Sequence, residues 1–203
     1  MRDVLEVDAE TVLVAGPSLA GGRRCFHRLL RDRGAGTVAV ATRQPAEPFR
    51  DAHRHQTAAD PAETDDLVVV DCLTRALGKS PSDGPRTVYA QHPSNLTSIG
   101  TKFTQVVDRR GDEPLAAGIS TLSPLLQYAD RTDVYQFAHL LVQQATGVGW
   151  PVVAAIDAGA HDEQTVEQFV PLFDAVVETR RPDDGEGCEY RVRDPEETDW
   201  RPL

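Results

Sequence analysis

The stretch TVLVAGPSLAGGRRCFHRLL, residues 11–30, decides the fold that the rest of the sequence is expected to adopt. An apolar strand, a glycine-bearing turn and a helix follow one another there, and this arrangement can hold a phosphate on backbone N–H groups. The phosphate-binding motif is G-x-x-x-x-G-K-[ST], and Gly16 and Gly21 stand at its glycine positions. Gly22 and Arg23 stand where the lysine and the hydroxyl residue belong. The stretch therefore predicts the scaffold of a nucleotide site without its lysine and its Mg²⁺ ligand.

Two interpretations of this loop are open. It could hold a phosphate through main-chain N–H groups together with Arg23 or Arg24, or it could be a strand-to-helix turn that binds nothing. Neither lysine of the chain, Lys79 or Lys102, lies near the loop in sequence. Phosphoryl transfer depends on Mg²⁺ and on positioned phosphates, so the sequence favours a loop that does not hydrolyse nucleotide.

The length of 203 residues predicts one domain over residues 1–203 with a sizeable core. The sequence has neither an apolar run of about 18 residues nor the apolar core of a signal peptide, so we expect a cytoplasmic protein with no membrane partner. The three cysteines, Cys25, Cys72 and Cys188, form no C-x-x-C pair. Their number and spacing argue against a disulfide framework and against a zinc site.

The composition is strongly acidic, with 32 acidic and 21 basic residues and a formal net charge of −11. Such a surface repels the phosphate backbone of nucleic acids, so we expect no nucleic-acid partner. Only two of the basic residues are lysines. Acid-rich, lysine-poor surfaces suit a cytoplasm of high salt, where screening weakens the repulsion between carboxylates. The composition therefore predicts a halophilic protein.

Most predicted strands are continuous apolar runs, and predicted helices lie between most of them. This combination is typical of α/β proteins in which helices cover both faces of a mostly parallel sheet. The predicted strands cover residues 11–15, 37–41, 67–71, 86–90, 115–119 and 152–157. Residues 175–179 and 189–193 are predicted to pair as a C-terminal β-hairpin around the PDDGEG turn region.

Apolar residues at helical spacing predict helices over residues 23–33, 96–107 and 134–145, and another after Asp162 that Pro171 bends or ends. Ser94 is the expected N-cap of the second helix, and a capping box at Asp133 is expected to start the third. Residues 42–66 are polar and contain three prolines. We expect this segment to be mainly irregular, with a short helix over residues 47–55 as the alternative.

Acidic residues at strand ends are further candidate ligands. Asp71 closes a predicted central strand, where ligands of open α/β sheets bind, and could hold Mg²⁺ through water. The alternative is that Asp71 caps the next turn or pairs with Arg75. A polar group after the strand at 152–157 consists of Asp157, His161, Asp162 and Glu163. It could supply a general base, or it could be the N-terminus of a helix, where acids are stabilised by the helix dipole.

Residues 16–20, GPSLA, also resemble a G-x-S-x-G nucleophile elbow around Ser18. Asp157 and His161 follow in the chain order of an α/β-hydrolase triad. Ala20 replaces the last glycine of that motif, and the elbow would follow the first strand of the chain. Both departures argue against a serine hydrolase.

Three longer stretches carry a resemblance to a known superfamily: HPSNLTSIG at residues 92–100, ISTLSPLLQYADRTDVYQFAHLL at 119–141, and DAGAHDEQTVEQFVPLFDAVVETR at 157–180. By these stretches the chain resembles haloarchaeal members of the RecA/KaiC-type ATPase superfamily. The resemblance implies a RecA-like core of the P-loop NTPase type and a link to signal transduction. It also places Ser120 where these ATPases carry the Walker B acid. The resemblance therefore implies a pseudo-ATPase with degenerate Walker motifs.

Two functions are consistent with the sequence. The first is a non-catalytic regulatory or interaction domain without a cofactor, whose partner is a protein, such as another RecA-like subunit or a second copy of the chain. The second is an ATP-binding protein or weak ATPase that uses ATP and Mg²⁺ with a non-standard phosphate loop. The residues of the vestigial nucleotide site would be Gly16, Gly21, Gly22, Arg23 and Asp71.

Overall fold

One nine-stranded sheet forms the centre of the chain, of which the computed structural model describes residue 5 and residues 7–57, 66–182, 186–194 and 196–203. The strands are β1 (Thr11–Gly16), β2 (Gly36–Ala41), β3 (Leu67–Asp71), β4 (Thr87–Tyr89), β5 (Leu115–Ser120), β6 (Val152–Asp157), β7 (Ala175–Arg180), β8 (Glu189–Asp194) and β9 (Arg201–Pro202). Their order across the sheet is β4-β3-β2-β5-β6-β1-β7-β8-β9. The strands from β4 to β7 in that order are parallel, and β8 and β9 are antiparallel to their neighbours.

Helices cover both faces of this sheet. They are α1 (Gly22–Arg31), α2 (Ala46–Thr57), α3 (Leu96–Arg110), α4 (Ser123–Tyr128), α5 (Arg131–Thr146) and α6 (Glu163–Phe169), which continues into a 3₁₀ turn at Val170–Leu172. The first two helices pack on one face, around Phe26 and Phe49. The other four pack on the opposite face, around Phe103, Trp150 and Phe169. The predicted architecture, a mostly parallel sheet between helices with a C-terminal hairpin, is confirmed.

Burial on both faces explains why the strands are continuous apolar runs. Every residue of β2 and of β3 is buried, including the alternating positions that would meet water in a half-exposed sheet. None of the helices in the described ranges is long and apolar enough to cross a lipid bilayer.

The segment expected to be mainly irregular contains a helix, α2, which corrects that expectation and supports its alternative. Phe49 of this helix is fully buried and packs beside the imidazole of His53, with the two ring centroids 6.4 Å apart. The first N–H group of the helix, on Ala46, donates to the carboxylate of Asp71 at 2.7 Å. Because this cap comes from β3, which is distant in sequence, the composition of residues 42–66 did not reveal the helix.

Two helix starts also differ from the predicted ones. Asn95 rather than Ser94 caps α3, and its side-chain oxygen accepts a hydrogen bond of 2.9 Å from the N–H of Ser98. α5 begins at Arg131, before the predicted capping box, which therefore lies inside the helix. Two elements, α4 and β9, were not predicted, because segments of this length are too short to show a periodic pattern.

The apolar face of α5 gives a direct test of the core. Phe137 is buried on this face, whereas Gln143 is exposed. We expect Phe137→Ala to lower the free energy of unfolding by about 3–5 kcal/mol, since it leaves a cavity, and Gln143→Ala to change it by less than about 0.5 kcal/mol. Urea denaturation at fixed salt measures both values, and equal midpoints for the two variants would contradict the assigned face.

Candidate functional site

The carboxyl ends of the parallel strands meet at one edge of the sheet, where ligands of α/β folds bind. Gly16 ends β1, and Asp157 at the end of β6 is paired with it in register. Ser120 ends β5, the next strand along. Asp71 ends β3, and three strands, β2, β5 and β6, lie between β3 and β1. At about 4.8 Å per strand this is roughly 19 Å, so the structure does not bring Asp71 together with the loop.

The buried carboxylate of Asp71 is used inside the fold. One oxygen accepts the Ala46 N–H, and the other accepts the N–H groups of Leu73 and Thr74, both at 2.8 Å. Asp71 thus joins the start of α2 to the turn after β3, as the capping alternative proposed. Arg75 does not pair with it and instead lies 3.7 Å from a carboxylate oxygen of Asp83.

The loop between β1 and α1 needs both motif glycines for packing. Gly21 has a φ of +88°, and a Cβ on it would lie 2.4 Å from a methyl carbon of Leu203. A Cβ on Gly16 would lie 2.0 Å from the Thr179 hydroxyl oxygen. Both approaches are far below contact distance, so any side chain at these positions would displace β7 or the C-terminal segment. Packing alone is therefore enough to explain why glycine stands at both positions of the motif.

The basic residues of the loop lie on its outer side. Arg23, at the position of the motif's hydroxyl residue, is exposed. Arg24 donates to the backbone carbonyl of Leu203 at 3.0 Å, and Arg181 donates to that of Leu19 at 3.1 Å. The Leu19 side chain is 81% exposed at the tip of the loop. Of the basic residues around the loop, two are thus bound to main-chain oxygens of the protein itself.

A carboxylate of the protein binds the loop from the neighbouring strand. Asp157 accepts the Ser18 N–H at 3.1 Å with one oxygen and the Ser18 hydroxyl with the other. The first oxygen also accepts the Gly159 N–H at 3.0 Å. The backbone N–H of Asp157 donates to Ser123 at 2.9 Å, which fixes the strand end. One N–H group of the phosphate loop is therefore already paired with an anion that belongs to the fold.

This geometry also decides the nucleophile-elbow interpretation. The Ser18 hydroxyl is bonded to a carboxylate and not to an imidazole. The Nε2 atom of His161 is buried and has no hydrogen-bond partner among the described residues. A triad needs the histidine between the serine and the acid, so Ser18, Asp157 and His161 do not form one.

The remaining acids of the polar group belong to the start of α6. Asp162 caps this helix, and its Oδ1 accepts the Thr165 N–H at 2.7 Å. Hydrogen bonding from Thr165 holds the pKa of Asp162 below its usual range. Glu163 lies in the first turn, where the helix dipole favours an acid. The helix-start interpretation therefore accounts for both residues.

The side of the loop where Mg²⁺ would bind carries neutral hydroxyl groups. Beyond Ser120, the Thr121 hydroxyl donates to the carbonyl of Ala155 at 2.6 Å, and the Thr42 hydroxyl donates to that of Thr121 at the same distance. Mg²⁺ sites in proteins normally include at least one carboxylate. Over the described ranges, no group of three or more His, Cys, Asp or Glu side chains is placed to hold a metal. The donors beyond Ser120 include no carboxylate, so this side of the loop does not fit Mg²⁺.

One polar atom under the loop is unaccounted for. The hydroxyl of Thr179 is buried and has no hydrogen-bond partner in the described part of the chain. A Cβ placed on Gly22 would lie 3.3 Å from it, so it lies directly beneath the start of α1. The first N–H groups of α1 lack partners within the helix, as at any helix start. These groups are the part of the loop that still fits a phosphate.

A second concave site lies between α3 and α5, and the sequence analysis missed it. We call it the α3–α5 groove; residues of segments 94–104 and 129–144 line a volume of about 1130 Å³. Two signals in the sequence mark it. Gly100 interrupts a helix that would be more stable with alanine there, and Leu140 stands outside the apolar stripe of the best predicted helix.

Comparisons with known proteins bear on the fold. The profile of a family of unknown function, DUF7504, matches residues 9–179, and no curated protein matches the chain. Among solved structures, the chain is similar to the uncharacterized protein PH0321 from Pyrococcus horikoshii in complex with an unknown peptide (12% identity, TM-score 0.65, covering 94% of this chain and 86% of that chain). It is also similar to the KaiC-like protein PH0186 from Pyrococcus horikoshii OT3 (13% identity, TM-score 0.59, covering 95% and 81%). At these identities the likeness shows the fold alone, which is that of KaiC-like proteins.

Proposed function

This chain belongs to the family of unknown function DUF7504, and we propose that it is a single non-catalytic RecA/KaiC-like domain that acts in regulation or signal transduction by binding a protein partner. The observation that carries the proposal is the state of the phosphate loop. Asp157 occupies the Ser18 N–H, while Gly22 and Arg23 replace the lysine and the Mg²⁺ ligand. A pseudo-ATPase of this kind would work in the cytoplasm without a bound cofactor.

Electrostatics support the loss of nucleotide chemistry. A triphosphate brought to the loop would approach the Asp157 carboxylate, which lies at the end of the adjacent strand. The repulsion would be partly offset by Arg23, whose side chain is exposed and screened by solvent. A site that lacks both the lysine and Mg²⁺ has little left to balance the charge of the phosphates.

A peptide in one structural neighbour gives the partner class some support. PH0321 from Pyrococcus horikoshii was solved in complex with an unknown peptide, and it has the same fold. By analogy, a protein segment is a reasonable partner for this chain too. Another RecA-like subunit or a second copy of the chain would satisfy the same proposal.

The alternative function is an ATP-binding protein or weak ATPase with a non-standard phosphate loop. One observation favours it: the buried Thr179 hydroxyl lacks a partner just beneath the N-terminus of α1. A phosphate at that helix start would meet free N–H groups. In this alternative Arg23 would take over part of the role of the missing lysine.

Ligand-dependent thermal stability separates the two functions. A ligand that binds only the native state adds RT ln(1 + [L]/Kd), which is about 2.7 kcal/mol at one hundred times Kd. We expect 5 mM ATP with Mg²⁺ in 2 M KCl to leave the melting temperature unchanged. A rise with ATP that is lost in the variant Arg23→Ala would contradict the proposal and support the alternative. The protein partner itself is then sought by affinity capture in molar salt and re-measured with purified components.

The proposed halophilic character has its own test. The net charge of −11 makes the carboxylates repel one another once the Debye length grows to roughly 30 Å at 0.01 M salt. We therefore expect circular dichroism to show loss of structure when KCl is lowered from 2 M to 10 mM, and recovery when it is restored. Equal spectra at both salt concentrations would contradict this expectation.

A further inference from the structure

Residues 196–203 fold back along β8 and reach the phosphate loop, and we call this segment the C-terminal strap. The Thr198 N–H donates to the carbonyl of Val192 at 2.8 Å, and the Leu203 N–H donates to that of Cys188 at 2.9 Å. The short strand β9 lies between these two bonds and pairs antiparallel with β8. The strap therefore covers an edge of β8 that would otherwise present unpaired backbone groups.

Two side chains anchor the strap. The ring of Trp200 lies against two guanidinium groups, with the Cζ atoms of Arg180 and Arg191 at 4.0 Å and 4.8 Å from its centroid. Leu203 packs against the buried core on the α1 face of the sheet. A Cβ on Gly21 would lie 2.4 Å from a methyl carbon of Leu203, so this leucine fits there only because residue 21 has no side chain. The second anchor thus lies directly on the phosphate loop.

The strap is held less firmly than the sheet it covers. Each of its residues is exposed or half-buried, whereas most residues of β7 are buried. Its strand consists of two residues, and one of them, Pro202, has no N–H group to donate. Segments that bury little surface open locally at a free energy well below that of global unfolding. The strap can therefore leave its place while the remainder of the sheet stays folded.

The surface beneath the strap has a defined chemistry. The edge of β8 offers backbone groups that pair with an extended segment. Both guanidinium groups are already ion-paired, Arg180 with Glu189 and Arg191 with Glu178. An aromatic ring therefore suits them better than another acid. The space above Gly21 accepts an aliphatic side chain. In the strap, the aliphatic residue follows the aromatic one at the third position, and this spacing matches the two contact points.

We propose that the edge of β8 and the space above Gly21 form a docking site for an extended segment of a separate protein. In that segment an aromatic residue precedes an aliphatic residue by three positions, and the C-terminal strap is the intramolecular competitor that keeps the site closed. A tethered segment has an effective concentration on the order of millimolar, so a partner must contact the site better than the strap does. The inference rests on the proposed function as an interaction domain, and it names the surface and the chemistry of the partner.

A second copy of the chain is a poorer occupant than a separate protein. Two copies could exchange their straps, as in domain swapping. Each copy would then lose its own strap and receive an identical one, so no contact would be gained. The entropy cost of association would remain and would oppose the dimer. A separate protein is not limited in this way, because its segment can contact the site more extensively than the strap does.

The test measures binding of a peptide to the whole chain. The labelled peptide EETDWRPL has the sequence of the strap, and its affinity is measured by fluorescence anisotropy in 2 M KCl. The double variant Trp200→Ser/Leu203→Ser removes both anchors. We expect it to bind the peptide at least tenfold more tightly than wild type does, because the intact strap competes in wild type. The matched control Asp199→Ser changes an exposed residue of the strap and is expected to bind the peptide as weakly as wild type.

Two further measurements locate the bound peptide. A peptide with serine in place of its tryptophan and leucine is expected not to bind the double variant. Adding Gly21→Ala to the double variant is expected to weaken binding of EETDWRPL at least tenfold, since the new Cβ takes the space of the leucine methyl group. Circular dichroism verifies that the variants are folded.

Hydrogen exchange measured by NMR tests the opening of the strap in wild type, without any variant. We expect the N–H group of Leu203, which is bonded to the carbonyl of Cys188, to exchange at least tenfold faster than the N–H groups of β7. Equal exchange rates would show that the strap does not open on its own, and the proposal would then be wrong.

Other outcomes would also overturn the proposal. One is equal affinity of EETDWRPL for wild type and for Trp200→Ser/Leu203→Ser. Another is equal affinity of the two peptides for the double variant. A wild-type dimer at micromolar concentration that the double variant dissociates would assign the site to a second copy. A captured protein partner that binds wild type and the double variant equally would refute the docking site and leave the proposed function standing, whereas ATP turnover by wild type would refute the proposed function alone.

Discussion

Lowering the pH from 7.5 to 5 at constant high salt is expected to reduce the free energy of unfolding by roughly 4 kcal/mol. The cause is a buried pair of histidines between α1 and α2. The Nδ1 atoms of His27 and His53 lie 3.0 Å apart, so one ring donates to the other, and burial favours the neutral form of both rings. The rings of Phe26 and Phe49 pack against His27, with centroids 5.3 Å and 5.1 Å from its own.

The pKa values give the direction and the pH window of this effect. Burial lowers the pKa of His27 to about 3, helped by His53 and Arg23, and burial with Arg31 lowers that of His53 to about 4. In the unfolded chain both pKa values are about 6.5. Below pH 6.5 the unfolded state therefore binds protons that the folded state does not, and stability falls with pH to about pH 4 for His53 and about pH 3 for His27. Since pH 5 lies about 1.5 units below the pKa of the unfolded state, each histidine lowers the free energy of unfolding at this pH by about 2 kcal/mol.

Urea denaturation at a series of pH values in 2 M KCl measures the effect. His53→Gln removes one titrating ring, so the loss between pH 7.5 and 5 should fall by about half. His55→Gln is the matched control, because His55 lies on the same helix and is exposed. Carboxylates titrate mostly below this window, so their contribution is small there. Identical pH profiles for wild type and His53→Gln would show that the pair is not responsible.

The same helix pair shows why the sequence predicted the sheet better than the surrounding helices. Helices cover both faces of strands such as 37–41 and 67–71, so nearly every position of these strands is apolar. Each strand can therefore be recognised from its own sequence. Helix α2 depends instead on a cap from Asp71, which lies on a strand that follows it in the chain. Long-range hydrogen bonds of this kind leave no local pattern, and three prolines nearby argue for a loop.

The candidate site shows a similar division. The spacing of Gly16 and Gly21 located the loop, because a strand-to-helix turn needs glycine at fixed positions. That Asp157 binds Ser18 could not be predicted, since the two residues meet only when β6 pairs with β1. Asp71 lies at the expected edge of the sheet, yet the strand order separates it from the loop. Strand order is set by the packing of the whole chain, so residue types alone do not determine it.

Purified protein is expected to show no ATP turnover at rates typical of enzymes, which begin near about 1 s⁻¹. Three substitutions lead to this expectation. Gly22 supplies no ammonium group to the β/γ-phosphates, Arg23 places a cation where Mg²⁺ would need a hydroxyl, and Ser120 stands at the strand end that the resemblance assigns to the metal-side acid. Losing one group that stabilises the transition state typically costs about 10²–10³ in rate. Such losses are not additive, but the metal has lost two supports and the phosphates one.

The structure strengthens this expectation and sharpens its test. The hydroxyls of Thr42 and Thr121 at the strand ends donate hydrogen bonds to backbone carbonyl groups. They are neutral, so they do not replace the carboxylate that would bind Mg²⁺. Phosphate release in 2 M KCl with Mg²⁺ is measured for wild type. The effect of ATP on the melting temperature is measured for wild type and for Gly22→Lys/Arg23→Thr/Ser120→Asp. A lysine Cβ at residue 22 would lie 3.3 Å from the Thr179 hydroxyl, which a small shift accommodates. We expect the triple variant to gain an ATP-dependent rise in melting temperature that wild type lacks. Wild-type turnover near about 1 s⁻¹ would contradict the non-catalytic function.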